Sequence, residues 1–183
     1  MRKLKYHEKK LLKKVKFPAA FRGSVLRENK ILRKYLIQNR DEYTQFNKLS
    51  GLISSFVTRL RRLGENDAVR IDLTAALLEK CYNLGVIKSK KNLALVEQIP
   101  ASVFAQRRLS VMMVTSKMAQ TNKEAVTFIE QGHVRVGLNI IHDPAFIVTR
   151  AMEDQITWAD KSSIKKKVED FNDKIDDFDA LGE

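Results

Sequence analysis

The sequence predicts an α+β chain that is mainly α, with helices first and then a module of two helices on a small antiparallel sheet. Three observations lead there. Apolar residues recur at spacings of three and four from Phe46 to Leu84, as amphipathic helices require. Thr121 and Glu124 have the Thr-x-x-Glu spacing of a capping box and open a short helix. Directly after it, "GHVRVGLNII" alternates and then turns, the pattern of a tight hairpin. Four segments are expected: a basic N-terminal arm with an amphipathic helix (1–40), a helical region (41–100), the helix–hairpin module (101–160) and a charged C-terminal tail (161–183).

In the arm, Leu4, Leu11, Leu12 and Val15 share one helical face and lysines cover the rest. Pro18 should stop this helix, because the residue before a proline is kept out of the helical region. Residues 19–40 are basic and weakly patterned. A long helix follows, with Phe46, Leu49, Leu52, Ile53, Phe56, Val57, Leu60 and Leu63 inward and Gly64 just beyond. After the polar turn "ENDAVR", a second helix puts Leu73, Ala76, Leu77, Cys81 and Leu84 on one face and stops at Gly85. The two are expected to form an antiparallel pair.

"KSKKN" reads as an exposed basic loop. Pro100 and Ser102 open a third helix, with Ser102 as N-cap and Ala105, Leu109, Met112 and Met113 as its inner stripe. Arg107 and Arg108 are expected to point away from that stripe. In the Thr121 helix, Ala125, Phe128 and Ile129 face inward, and Gly132 is expected to be left-handed. Val134 and Val136 point in and His133 and Arg135 out, with "FIV" and "ITW" as closing strands. A lysine cluster at 165–167 precedes seven acids among the last fifteen residues, which reads as a mobile tail that docks on a partner.

The formal net charge is +12. Residues 1–40 hold 14 Lys/Arg and 2 Asp/Glu, 14 − 2 = +12, whereas residues 41–183 hold 20 of each. A cationic arm on a neutral body points to a polyanion, and nucleic acid is preferred over an acidic membrane surface. No apolar run is long enough to span a bilayer. The single Cys81 excludes an internal disulfide framework, and a reducing compartment, cytosol or nucleus, is expected. His7, His133 and His142 have no close-spaced metal partners, so no metal or cofactor is expected. No phosphate loop, HExxH or nucleophile elbow is present, and an enzyme is not expected.

The remaining polar residues gather around the module. Arg107, Arg108, Lys117, Thr121, Asn122, Lys123, Gln131, His133 and Arg135 are expected to surround the start of the Thr121 helix, where free N–H groups and the dipole favour phosphate. Lys9, Lys10, Lys13 and Lys14 of the arm join them as RNA-binding candidates. Folded RNA is read by shape, 2′-OH and unstacked bases, which such groups suit.

"RRL" followed by "TNKEAVTFIEQGHVRVGLNIIHDPAFIV" resembles the S-four RNA-binding domain, named after a small-subunit ribosomal protein. That resemblance implies a helix pair on a small sheet that binds structured RNA. This chain departs from the family pattern where Gly137-Leu138 replaces Asn-Gly, and at Asn122 and Val126, where many members are basic. "MRKLKYHEKKLLKKV", "DPAFIVTRAMEDQITW" and "DDFD" extend the likeness to one branch of the family, the S-four-type subunits of the U-three small nucleolar ribonucleoprotein. For this chain the branch implies a nuclear, nucleolar ribosome-assembly factor. Its RNA partners would be the U-three small nucleolar RNA and pre-ribosomal RNA, whose pairing it promotes. Its protein partners would be an M-phase phosphoprotein scaffold and a Brix-domain protein. The competing readings are a structural small-subunit ribosomal protein of the S-four family and, behind it, an RNA-modifying enzyme.

Overall fold

The computed structural model describes residues 2–14 and 25–181, with side chains for 2–11 and 27–172. The predicted stop at Pro18, the places of Leu12 and Val15 on the first helix's apolar face, and the side chains of Lys13 and Lys14 lie outside those described residues or side chains. Three apolar clusters organise the rest.

The first cluster lies among α3 (Arg40–Arg61), α4 (Ala68–Asn83), the single turn α5 (Ala94–Glu97) and α6 (Ala101–Gln106). Val57, Leu78, Cys81, Ile87, Val96, Ile99 and Phe104 are its buried members, and Phe46 stacks on Phe104 at 6.2 Å. Cys81 is therefore a core residue, as its place on the apolar face predicts. Asp67 caps α4 by accepting from the Val69 amide at 3.0 Å. Gly85 ends α4 with φ +71, whereas Gly64 is not left-handed and α3 ends without it. Leu49, Leu52, Leu63, Leu73 and Ala76, expected inside, are exposed. The apolar stripes of α3 and α4 are thus wider than what is buried.

The second cluster shows that the basic segment before residue 40 is not all arm. A helix absent from the expectation, α2 (Val25–Lys34), precedes Tyr35 and Ile37, which are buried against Tyr43, Ala101 and Ala105. Glu28, Ile31, Leu32 and Tyr35 are spaced at i, i+3, i+4 and i+7 and form its inner face. The buried Glu28 carboxylate receives both Arg40 Nε and Nη2 at 2.9 Å.

The third cluster is the helix–hairpin module. α7 (Leu109–Thr115) and α8 (Asn122–Glu130) pack on a sheet of order β2-β1-β3, built from β1 (Val134–Val136), β2 (Asn139–Ile140) and β3 (Ile156–Trp158), all antiparallel. Leu109, Met113, Ala125, Ile129, Val134, Val136 and Val148 fill the space between. Trp158 meets Phe128 edge-on at 5.8 Å. Gly132 has φ +74, the left-handed stop predicted for it. Gly137, φ +61, takes the first central position of the two-residue β1–β2 turn, where a type II′ turn demands glycine.

The expected third helix is two helices. Pro100, not Ser102, is the N-cap of α6, and the chain breaks at Arg107–Arg108, where Arg108 is extended (φ −67, ψ 142). The break has a partner. The Leu109 amide donates to Phe146 O and the Val148 amide to Arg107 O, both at 2.8 Å, around an isolated bridge between Arg108 and Ile147. "FIV" is consequently spent on this bridge and is not a strand of the sheet. A further turn, α9 (Arg150–Glu153), leads to β3. The C-terminal segment, expected as a mobile tail, forms a 19-residue helix, α10 (Ser163–Leu181), whose first turn is capped by Ser162 Oγ accepting from the Ile164 amide.

Candidate nucleic-acid interface

The predicted residues separate into three groups. Arg107 and Arg108 are not on the surface. Arg107 is 8% exposed and donates Nε and Nη2 to Val148 O at 3.0 and 2.7 Å, while its Nη1 pairs with Glu153. Its guanidinium lies over Gly85, where a Cβ would come within 2.6 Å of Cζ. Arg108 is 2% exposed, reaches Glu42 at 3.3 Å and has Tyr35 O at 3.5 Å. Burial pulls Arg108 below the ordinary arginine range, while Glu42 and then Asp143 oppose that fall. Both arginines fasten the helix–hairpin module to the helices before it. Arg150 does the same, lying 3.9 Å over the Tyr82 ring and donating to Ile87 O. Adjacent arginines at a segment junction look like a surface pair in sequence, and only the helix break turns them inward.

Gln131, His133 and Arg135 lie at the wrong end of α8 to surround its start. A nine-residue helix is about 13 Å long. His133 Nδ1 sits 3.1 Å from Ser162 Oγ, and the His133 carbonyl accepts from the Ala159 amide, so His133 seats the strand on the start of α10. Arg135 does face away from the core, as predicted, in a cross-strand row with Ile140 and Thr157. Its guanidinium is already engaged by Thr157 Oγ1 at 2.9 Å and Asp160 at 2.6 Å. The hydrogen bond from Lys165, with Arg135 adding its charge, holds the Asp160 carboxyl below the usual carboxylate range.

Lys117, Thr121, Asn122 and Lys123 do meet at the start of α8. Lys117 is exposed and has φ +61, a left-handed position at the end of α7 where glycine is the usual occupant. The Met118 amide closes that turn on Met113 O at 2.9 Å. The phosphate seat expected on free amides is partly filled. Thr121 Oγ1 accepts from the Glu124 amide, and Glu124 Oε2 accepts from the Gln120 and Thr121 amides. The helix thus carries its own carboxylate at the positive end of its dipole. A phosphate placed here would meet cations more than free amides.

Those cations come from an element the sequence reading missed. Asn122 Nδ2 donates to Lys34 O at 2.8 Å and joins the end of α2 to the start of α8. The outer face of α2 carries Arg27, Lys30, Arg33 and Lys34, all exposed, and among the described residues none is paired with an acid. With Lys117 and Lys123 this makes six exposed cations on adjoining elements. Arg27, Lys30 and Lys34 at i, i+3 and i+7 were the available signal. It was hidden because Glu28 interrupts the apolar face. In the N-terminal α1 (Tyr6–Lys14), Lys9 and Lys10 are exposed, and the side chains of Lys13 and Lys14 lie outside the described set.

Residues 3–99 match the family described as Ribosomal protein S4/S9 N-terminal domain, and residues 107–156 match the S4 domain. The chain is 46% identical over 180 residues to the U3 small nucleolar ribonucleoprotein protein IMP3 of Mus musculus, covering 98% of both chains. The protein of the same name from Saccharomyces cerevisiae is 45% identical at the same coverage. The small ribosomal subunit protein uS4 of Picrophilus torridus is a more distant relative, 28% identical over 74% of each chain. The near-complete matches at this identity, set on a helical N-terminal part followed by two helices on a three-stranded sheet, place the chain in the IMP3 family of U3 small nucleolar ribonucleoprotein proteins, within the wider S4 group.

Proposed function

We propose that this chain is an RNA-binding subunit of a U3 small nucleolar ribonucleoprotein that acts in ribosome biogenesis. It holds the U3 small nucleolar RNA against pre-ribosomal RNA so that the two pair for early small-subunit rRNA processing. The observation that carries this reading is similarity over 98% of the chain to proteins bearing the U3 name. The uS4 relatives are 28–29% identical over about three-quarters of the chain, which favours the assembly factor over the ribosomal protein.

The physics of the role is direct. Two RNAs repel through their phosphates. A protein that neutralises phosphate on one side and recognises helix shape on the other lowers the cost of bringing them together. The α2 face with Lys117 and Lys123 supplies fixed cations, and the α1 arm supplies a longer reach. No covalent step is needed. The same reading places the chain in the nucleolus, beside an M-phase phosphoprotein scaffold and a Brix-domain protein. No helix among the described residues is long and apolar enough to cross a membrane.

Crosslinking the tagged chain to RNA in cells, followed by sequencing, tests the proposal. U3 RNA and the pre-ribosomal segments that pair with it should dominate. Recovery chiefly of mature small-subunit rRNA, with co-sedimentation on mature subunits, would instead identify a structural ribosomal protein.

A further inference from the structure

Where α6 breaks into α7, the structure leaves a cleft of about 450 Å³ bounded by the end of α2, Gly85, α6, α7 and α9. That volume lies within the roughly 300–1,000 Å³ range of small-molecule sites. Val103, Val111 and Met112, all half-buried, give it an apolar wall. Gly85 adds no side chain, which leaves room for the Arg107 guanidinium in the opposite part of the lining. Arg107 is spent on Val148 O and Glu153, so it stiffens the cleft and has an internal role of its own. The polar atoms beside it do not. Gln106 Nε2 donates to the Tyr35 hydroxyl at 3.0 Å, and the amide oxygen of Gln106 accepts nothing among the described residues. Glu153 receives Arg107 on Oε1, and its Oε2 likewise accepts nothing among the described residues. The rim is cationic. Lys34 lines it with Nζ 5.3 Å over the Tyr35 ring, and Lys34 is one of the six exposed cations of the interface. Thr115 lines it as well, two residues before Lys117, another of the six.

We propose that this cleft receives one unstacked nucleobase of the RNA held on the α2 face. An apolar wall suits the face of a base, free oxygen acceptors suit its edge, and cations at the rim suit the flanking phosphates. A base paired inside a helix cannot enter, so the occupant comes from a bulge, a loop or a single strand. The acceptors select which base. Adenine, cytosine and guanine carry an exocyclic amino group that can donate to Glu153 Oε2 or Gln106 Oε1, and uracil carries none. The α2 cations grip phosphate without regard to sequence. The cleft supplies the base selectivity that they lack.

The base site rests on the RNA-binding reading above, and its test separates the two. The full chain is titrated with three RNA hairpins that differ at one place in the stem: fully paired, with one unpaired adenosine, or with one unpaired uridine. The adenosine hairpin should bind about tenfold tighter than the paired one, and the uridine hairpin within about twofold of it. Thr115→Leu narrows the cleft and Gln106→Leu removes its amide, both at exposed positions. Each should bring the adenosine hairpin to within about twofold of the paired one, with the paired affinity and the melting curve kept. Arg27→Gln, outside the cleft, should weaken all three hairpins by the same factor. In hydroxyl-radical footprinting the adenosine hairpin should protect Met112 and the paired hairpin should not. Equal binding of all three hairpins leaves the RNA reading standing and overturns the base site. An adenosine preference that survives both Leu variants also overturns it, because the base then lies elsewhere, and uridine bound as tightly as adenosine overturns the selection by Glu153 and Gln106. If no hairpin binds, the RNA reading fails and the base site with it. Met112 protection that persists in the assembled ribonucleoprotein after the RNA is digested gives the cleft to a protein partner and overturns the proposal.

Discussion

Arg107→Ala should unfold the junction between the two parts of the chain without acting on RNA directly. The wild-type guanidinium gives two hydrogen bonds to Val148 O, whose residue is fully buried. Losing them leaves a buried carbonyl short of its side-chain donors, a cost of about 2 kcal/mol. The carboxylate of Glu153 is left without its partner, but it is 34% exposed and rehydrates, so that contribution is discounted to well under 1 kcal/mol. The packed aliphatic stem adds about 1 kcal/mol. The sum is about 3 kcal/mol, which for a chain of this size lowers Tm by roughly 6–12 °C. Arg107→Met keeps the stem and should lose about 2 kcal/mol. Thermal melts by circular dichroism read the shift, and RNA titration well below the variant's Tm reads binding. A Tm within a degree or two of the wild type, together with lost RNA affinity, would return Arg107 to the surface and refute the buried assignment.

Three further outcomes follow from local geometry. Lys117→Gly should raise stability by about 1 kcal/mol, because it relieves a left-handed lysine, and should at the same time weaken RNA binding by the loss of one cation; chemical denaturation and titration must move in opposite directions. Gly132→Val should cost about 1–2 kcal/mol, since φ is +74 and an added Cβ would lie 2.6 Å from His142 Cε1; a variant that melts with the wild type would contradict the assigned turn. Burial raises the Cys81 thiol above its ordinary value, so it should react with a thiol reagent at pH 8 far more slowly in the folded chain than in denaturant. Equal rates would place Cys81 outside the core.

The elements with a strong local rule were legible in the sequence. The Thr121–Glu124 box, the left-handed Gly132 and the Val134/Val136 alternation each depend on a few adjacent residues, and each is as expected. What was missed depends on distant partners. The break at Arg107–Arg108 exists because residues 146–148 pair with it, and nothing near position 107 announces that. α2 was overlooked because its inner face contains an acid, and Glu28 is tolerable there only because Arg40, twelve residues later, meets it with two hydrogen bonds. The candidate interface inherited both errors. It included two arginines that are internal ties and omitted four exposed cations. Net charge pointed to the cationic end of the chain but did not show that α2, within that end, folds onto the body.

The salt dependence of RNA binding tests most directly the claim that the α2 face grips RNA. Each phosphate contact releases counterions and steepens the fall of log affinity with log salt by about 0.7–0.9. Changing Arg27, Lys30, Arg33 and Lys34 together to Gln keeps good helix formers at every position and leaves the Glu28–Arg40 pair intact. If the four cations contact four phosphates, the slope measured for the full chain on a structured RNA should shrink by about 3, with the melting curve nearly unchanged. An unaltered slope in a variant that still folds would contradict the account and assign this face to another partner.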